Sequence, residues 1–176
     1  PYPYDYMRKT GKPVGQQMGY KYDGFFSEED VAKYETERGK SIPDHGTGYI
    51  PKPGDVKYKD LNNDHKIDQY DVAAIGYPVY PLLTGGIDFS MTWSGATKVS
   101  RLLDDIFREP FGATDSRSLM KYMIDDMWTP EKGNSAKAPA ISFTNKVNNY
   151  RDSDLWLRDA SYLRLKNVEI GYNFPK

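Results

Sequence analysis

The sequence predicts a mainly β chain with strands that are apolar on one side and polar on the other. Three observations carry that prediction. From Asn167 to Phe174 the residue types alternate without a fault. Val168, Ile170, Tyr172 and Phe174 fall on one face of an extended chain, and Asn167, Glu169, Gly171 and Asn173 on the other. Ile87, Phe89, Met91 and Trp93 alternate in the same way with Asp88, Ser90 and Thr92. Composition is the third: 15 Tyr, 15 Gly and 12 Pro stand against only 38% hydrophobic residues, so turns are plentiful and aliphatic core is scarce. Alternating segments with aromatic ends suit the strands of a transmembrane β-barrel. They equally suit a half-buried strand in a sheet with one solvated face.

The elements follow in order. Residues 1–24 are punctuated by Gly, Pro and Tyr and read as loop with short extended pieces. Ser27-Glu28-Glu29-Asp30 resembles a capping box, with acidic residues in the first turn and Gly39 as a stop, which predicts a helix over 28–38. Residues 40–54 are again rich in Gly and Pro, and an Asp- and Asn-dense loop runs from Asp60 to Asp71. Pro78 and Pro81 lead into a strand over 83–93. Leu102, Leu103, Ile106 and Phe107 form an i, i+3, i+4 stripe, predicting a helix over 99–107 that Pro110 ends. Asp115 or Ser116 caps a second helix carrying Leu119, Met120, Met123, Ile124 and Met127. Residues 129–153 are irregular, and a terminal strand occupies 161–175. Two strands this far apart are too few for a self-contained sheet, so partners outside the chain are expected.

Charge and cysteine usage exclude several classes. With 24 Lys plus Arg against 25 Asp plus Glu, the formal net charge is −1, and no basic field argues for nucleic acid. Cysteine is absent, which removes disulfides, thiolate catalysis and cysteine metal sites. No apolar run is long enough for a transmembrane helix, and no signal peptide opens the chain. The sequence begins in a loop-like stretch and stops just after a strand, as expected for a piece of something larger.

One loop has the residues for a hard cation. Asp60, Asn62, Asp64, Asp68 and Asp71 stand at positions 1, 3, 5, 9 and 12 of an EF-hand-like loop, and Lys66 supplies the backbone carbonyl at position 7. Calcium is the ion this oxygen set suits, in a structural role. His65 replaces the usual Gly at position 6, and Asp71 is shorter than the usual Glu. An Asx-turn loop closed by its own hydrogen bonds is the competing reading. No catalytic residues are assigned. His45 and His65 read as solvated loop histidines, and the adjacent pairs Asp104-Asp105 and Asp125-Asp126 read as solvated helix faces. Trp93, Trp128 and Trp156 could stack on sugar rings, but burial or anchoring at a membrane interface is the commoner use of each. No substrate-binding residue is assigned.

The ordered motifs resemble the SusC/RagA-like TonB-dependent transporters of Bacteroidetes outer membranes. Gly19-Tyr20-Lys21-Tyr22-Asp23-Gly24-Phe25-Phe26 is similar to that family's GYxxDGIF segment, and Pro53 to Asp60 with the acidic loop to its PGDxxYxDxNxDGxID segment. Ile75-Gly76-Tyr77-Pro78, Asp159 to Val168, and Gly171-Tyr172-Asn173-Phe174-Pro175 match in turn. The resemblance implies a fragment of a 22-stranded transmembrane barrel with long extracellular loops carrying short helices. Residues 83–93 and 161–175 would be barrel strands; 1–80 and 94–160 would be extracellular loops. Ile87, Phe89, Met91, Trp93, Val168, Ile170, Tyr172 and Phe174 would then face outer-membrane lipid, with the alternate residues in the lumen. The implied function is import of oligosaccharides or peptides, with a SusD-like surface lipoprotein as lid and energy from the TonB system. The alternative is a free-standing extracellular glycan-binding module stabilised by calcium.

Overall fold

The computed structural model describes residues 2–85, 91–111, 118–142, 144 and 146–168. Its strands are short and pair antiparallel: β1 (Gln17–Gly19) with β4 (Ala73–Ile75), and β2 (Tyr22–Phe25) with β3 (Val56–Tyr58). β5 (Leu83–Gly85), β6 (Met91–Thr97) and β9 (Tyr162–Val168) form a three-stranded sheet in that order, and β7 (Ser100–Leu102) pairs with β8 (Leu157–Asp159). The helices are α1 (Glu28–Glu37), α2 (Asp105–Arg108), α3 (Lys121–Asp126) and α4 (Lys146–Asn149).

Pairing explains why the sequence motifs are separated along the chain. Tyr22 stands opposite Tyr58 and Phe25 opposite Val56, so the Gly19–Phe26 and Pro53–Asp60 segments are two sides of one ribbon. Their inward residues Phe25, Val56 and Tyr58 cluster with Ile67 and Ala136 to build the core, with Tyr20, Tyr22, Trp128 and Leu155 packed against them. Aromatic rings replace the missing aliphatics. Tyr22 meets Phe25 edge-on with centroids 5.3 Å apart, and Phe26 meets Tyr34 edge-on at 5.9 Å. Such pairs add stability beyond their buried area.

α1 matches its prediction to within a residue at its C-terminal end. Ser27 Oγ accepts from the Asp30 amide and Asp30 accepts from the Ser27 amide, both at 3.1 Å, so the capping box is closed in both directions. Three other elements differ. The strand expected over 83–93 is two strands, β5 and β6, lying antiparallel with Leu83 opposite Thr97. The helix expected over 99–107 begins only at Asp105. Ser100–Leu102 is extended because it pairs with Leu157–Asp159, a long-range ladder outweighing a short apolar stripe. The next helix begins at Lys121, past the expected cap, and Asp115 and Ser116 lie outside the described residues.

The barrel-fragment expectation is overturned. The described residues form a small mixed α/β domain with no closed barrel among them, and none of its helices is long and apolar enough to cross a membrane. β6 finds its partner, β9, within the chain, contrary to the expectation that partners must come from outside. The placement in an outer membrane with extracellular loops falls with it. Segments 1–80 and 94–160 together supply the core: Phe25, Val56, Tyr58 and Ile67 from the first cluster with Ala136 from the second. The lipid-facing and lumen-facing assignments, including Ile87, Phe89, Ile170, Tyr172 and Phe174, lie outside the described residues and side chains.

Candidate functional site

A groove of about 410 Å3 lies where the start of α1, β3 and the 128–134 turn meet. Its apolar wall is Phe25, Trp128 and Pro130; its polar wall is Glu28, Glu29, Asp30, Lys57 and Asn134. Each side is fixed by the fold. Lys57 reaches from β3 to donate to Asp30 Oδ2 at 2.8 Å, tying the helix start to the ribbon. Burial disfavours the Asp30 charge, but the Lys57 bond and those from the Ser27 backbone and hydroxyl outweigh it, and the carboxyl titrates below its ordinary range. Glu28 and Glu29 are exposed at the rim.

Trp128 is held from behind. Gly54 approaches it so closely that a Cβ there would sit 2.7 Å from Trp128 Cε3 and 2.6 Å from the Ala140 Cβ. Gly54 also has φ +88°, a left-handed conformation that suits glycine. Its amide donates to Phe26 O at 2.8 Å, and Ala140 donates to its carbonyl at 3.0 Å. The indole is therefore half-buried with its back on a backbone. Asn134 is equally fixed. The Phe25 amide donates to Asn134 Oδ1 at 3.0 Å, and an amide N–H has only a hydrogen to give, so the side-chain orientation follows. Nδ2 has no acceptor among the described residues, and Asn134 is part of the groove wall.

A buried polar network ties the 146–149 segment to β3. Asp55, Asn148, Asn149 and Ser153 are all buried. Asn149 Nδ2 donates to Asp55 Oδ1 at 2.7 Å while its Oδ1 accepts from Val56 N at 3.0 Å. Asn148 Nδ2 donates to Val56 O at 2.9 Å, and Tyr58 OH to Asn148 O at 2.6 Å. Two consecutive asparagines thus bind the 146–149 turn to β3 by matching its ladder groups. His45, expected in solvent, is buried at 3% exposure and sits within 5.2 Å of the Phe26 ring centroid and 5.5 Å of that of Tyr49. Its Nδ1 lies 3.0 Å from Pro43 O and Nε2 accepts from Tyr58 N at 3.4 Å, which defines a neutral imidazole protonated at Nδ1. Burial, opposed by the Pro43 carbonyl, pushes its pKa down to about 4.

The Asp60–Asp71 loop is closed on itself. Asp60 accepts from the amides of Asn63 and His65, both at 2.7 Å; Asp64 accepts from Lys66 at 2.9 Å and Asp68 from Tyr70 at 2.7 Å. Asp71 is fully buried and accepts from Leu61 and Asp68. His65 takes φ +62°, the left-handed turn that Gly makes at the sixth position of a calcium loop. The oxygens suit calcium chemically, but they are turned to backbone amides. No group of three or more His, Asp or Glu side chains among the described residues is arranged to hold a metal ion. Of the three tryptophans, Trp156 is buried with Nε1 on Asn149 O and lines a small cavity with Phe107, Met123 and Tyr150, Trp93's side chain lies outside the described set, and Trp128 lines the groove beside α1.

No family model matches the chain. It is 24% identical over 180 residues to TonB-dependent receptor P3 of Formosa agariphila, covering 96% of this chain and 16% of that protein. It is 29% identical over 133 residues to TonB-dependent receptor P26 of the same organism, covering 69% of this chain and 13% of that protein. The similarity to TonB-dependent receptors of a Bacteroidetes species is therefore distant and partial. It is consistent with a transport-related role, and neither relative is named as an enzyme.

Proposed function

We propose that this chain is a segment of a TonB-dependent transporter that imports oligosaccharides or peptides, and that the segment contributes binding rather than chemistry. The observation that supports this is an alignment running over 96% of the chain with a TonB-dependent receptor. In this reading the full-length protein takes its energy from the TonB system and works with a SusD-like lipoprotein lid. The Trp128 groove suits the binding part: a preformed concavity with one apolar wall and a few fixed polar groups is the usual form of a ligand site. The test is growth of cells lacking the full-length protein on oligosaccharides and peptides as carbon sources. Loss of growth on one of them, with growth on its monomers intact, supports import; unimpaired growth on every one overturns it.

Calcium at Asp60, Asn62, Asp64, the Lys66 carbonyl, Asp68 and Asp71 belongs to the same proposal. The hard-oxygen chemistry and the left-handed turn at His65 support it. Calorimetry with millimolar calcium chloride gives a binding heat that Asp64→Ala removes; the absence of any heat leaves the loop as the self-closed turn described above.

A further inference from the structure

We propose that the Trp128 groove is a saccharide subsite that takes an uncharged pyranose unit and rejects uronate or sulfated ones. This rests on the import reading and deepens it, choosing oligosaccharide over peptide at this position. Three independent features lead there. The first is the indole, whose back is held by Gly54 and Ala140 so that it meets a ligand without rearrangement. A pyranose has an axial C–H face that packs on an aromatic ring, and Trp supplies that area at low cost in rotamer entropy. The second is Asn134, a groove-wall residue whose amide orientation is dictated by the Phe25 N–H, which leaves Nδ2 as an unused donor. The third is the pair of rim carboxylates, Glu28 and Glu29, which only accept.

A sugar hydroxyl both donates and accepts. A wall with a fixed donor on one side, acceptors on the other and an aromatic ring between matches a polyhydroxylated ring better than a side chain with a single function. An ammonium or guanidinium has no acceptor to offer Asn134 Nδ2. The groove volume of about 410 Å3 is in the range of small-ligand sites. Asp30 is committed to Lys57 and Ser27, so this lysine is neutralised where it stands. Glu29 lies 4.0 Å from Lys33 across exposed surface, which leaves Glu28 as the rim carboxylate without a cation beside it among the described residues, and a carboxylate or sulfate on the ligand is repelled there.

The experiment uses the full-length protein with chelator present. Saturation-transfer NMR and calorimetry are run with hexasaccharides of β-1,3-glucan, β-1,4-xylan and α-1,4-glucan, with a hexagalacturonate, and with a Lys-containing hexapeptide. At least one neutral hexasaccharide binds, and the hexagalacturonate binds about tenfold more weakly or not at all. Trp128→Ala weakens the neutral ligand about tenfold or more. Asn134→Asp is the discriminating variant: it keeps an oxygen for the Phe25 amide, replaces the groove donor with a charged acceptor, and weakens binding of the neutral ligand about fivefold with an unchanged melting temperature. Neutral ligands that bind equally to both variants, a preference for the hexagalacturonate, or binding of the peptide alone each overturn the subsite. None of these touches the growth test, so the import reading stands or falls separately.

Discussion

His45 shows how one side chain ties stability to pH. Phe26, Tyr49 and Tyr58 surround it, and Asp44, Lys57 and Arg151 are the charges that bear on it. The folded imidazole titrates at about 4 against an ordinary 6.5, so the unfolded chain binds the proton more tightly. Stability from this group is full above pH 6.5 and is lost as pH falls through that window towards 4. The difference between those two values corresponds to about 3 kcal/mol. Urea melts from pH 7 down to pH 4 check it: His45→Gln, which cannot titrate, should start less stable and fall less steeply, and equal slopes in the two proteins refute the assignment. The burial of His45 was not legible in the sequence. A lone histidine among Gly and Pro has no local pattern, and what buries it is the ring set contributed by α1 and β3. Asn148 and Asn149 were missed for a related reason: their partners Asp55 and Val56 lie more than ninety residues away. There the expected cost is concrete. Asn149→Ala strips Asp55 of a buried donor and Val56 N of its acceptor, which should destabilise by about 2–4 kcal/mol in chemical denaturation.

Among the elements, those written locally were legible. α1 has its capping box, acidic first turn and Gly39 stop all within a dozen residues, and it forms where the pattern puts it. β9 carries part of the alternation that marked residues 161–175 as extended. β7 was not legible, because Ser100–Leu102 is a strand only by virtue of Leu157–Asp159. The Pro53-Gly54-Asp55 turn lies between these cases. Its Gly and Pro announce a turn, yet nothing local says that Gly54 must be bare because Trp128 and Ala140 lie over it. Gly54→Ala tests this. The left-handed φ and the two short approaches should cost about 1 kcal/mol or more, and should displace the indole from the groove wall. An unchanged melting temperature together with an unchanged Trp128 indole NMR signal would show that the wall is softer than the structure implies.

For the whole molecule, the decisive property is interleaving. β1, β2 and β3 come from the first third of the chain, but Tyr20 N donates to Asp152 O and Asp154 N to Tyr20 O, so the last third is woven into the same layer. The core shares this composition: Phe25, Val56, Tyr58 and Ile67 close only with Ala136, Trp128 and Leu155. A chain with few aliphatics can bury enough surface only by pooling aromatics from distant segments, and a short segment alone leaves polar ladder groups without partners. The motifs that resemble the transporter family were legible one by one, and their order was right, but their mutual packing was not, which is why they read as loops around a missing barrel. The resulting prediction is that residues 1–82 do not fold by themselves. That fragment keeps α1 and β2–β3 but loses Asn134 on Phe25, Asn149 on Val56 and Asp154 on Tyr22, three side chains that satisfy its backbone amides. Its proton–nitrogen NMR spectrum should be collapsed, with the Val56 amide exchanging freely. Adding a fragment spanning 97–160 should restore dispersion and slow that exchange. A well-dispersed spectrum with a protected Val56 amide from residues 1–82 alone would refute the shared core and make these residues a module that folds without the rest of the chain.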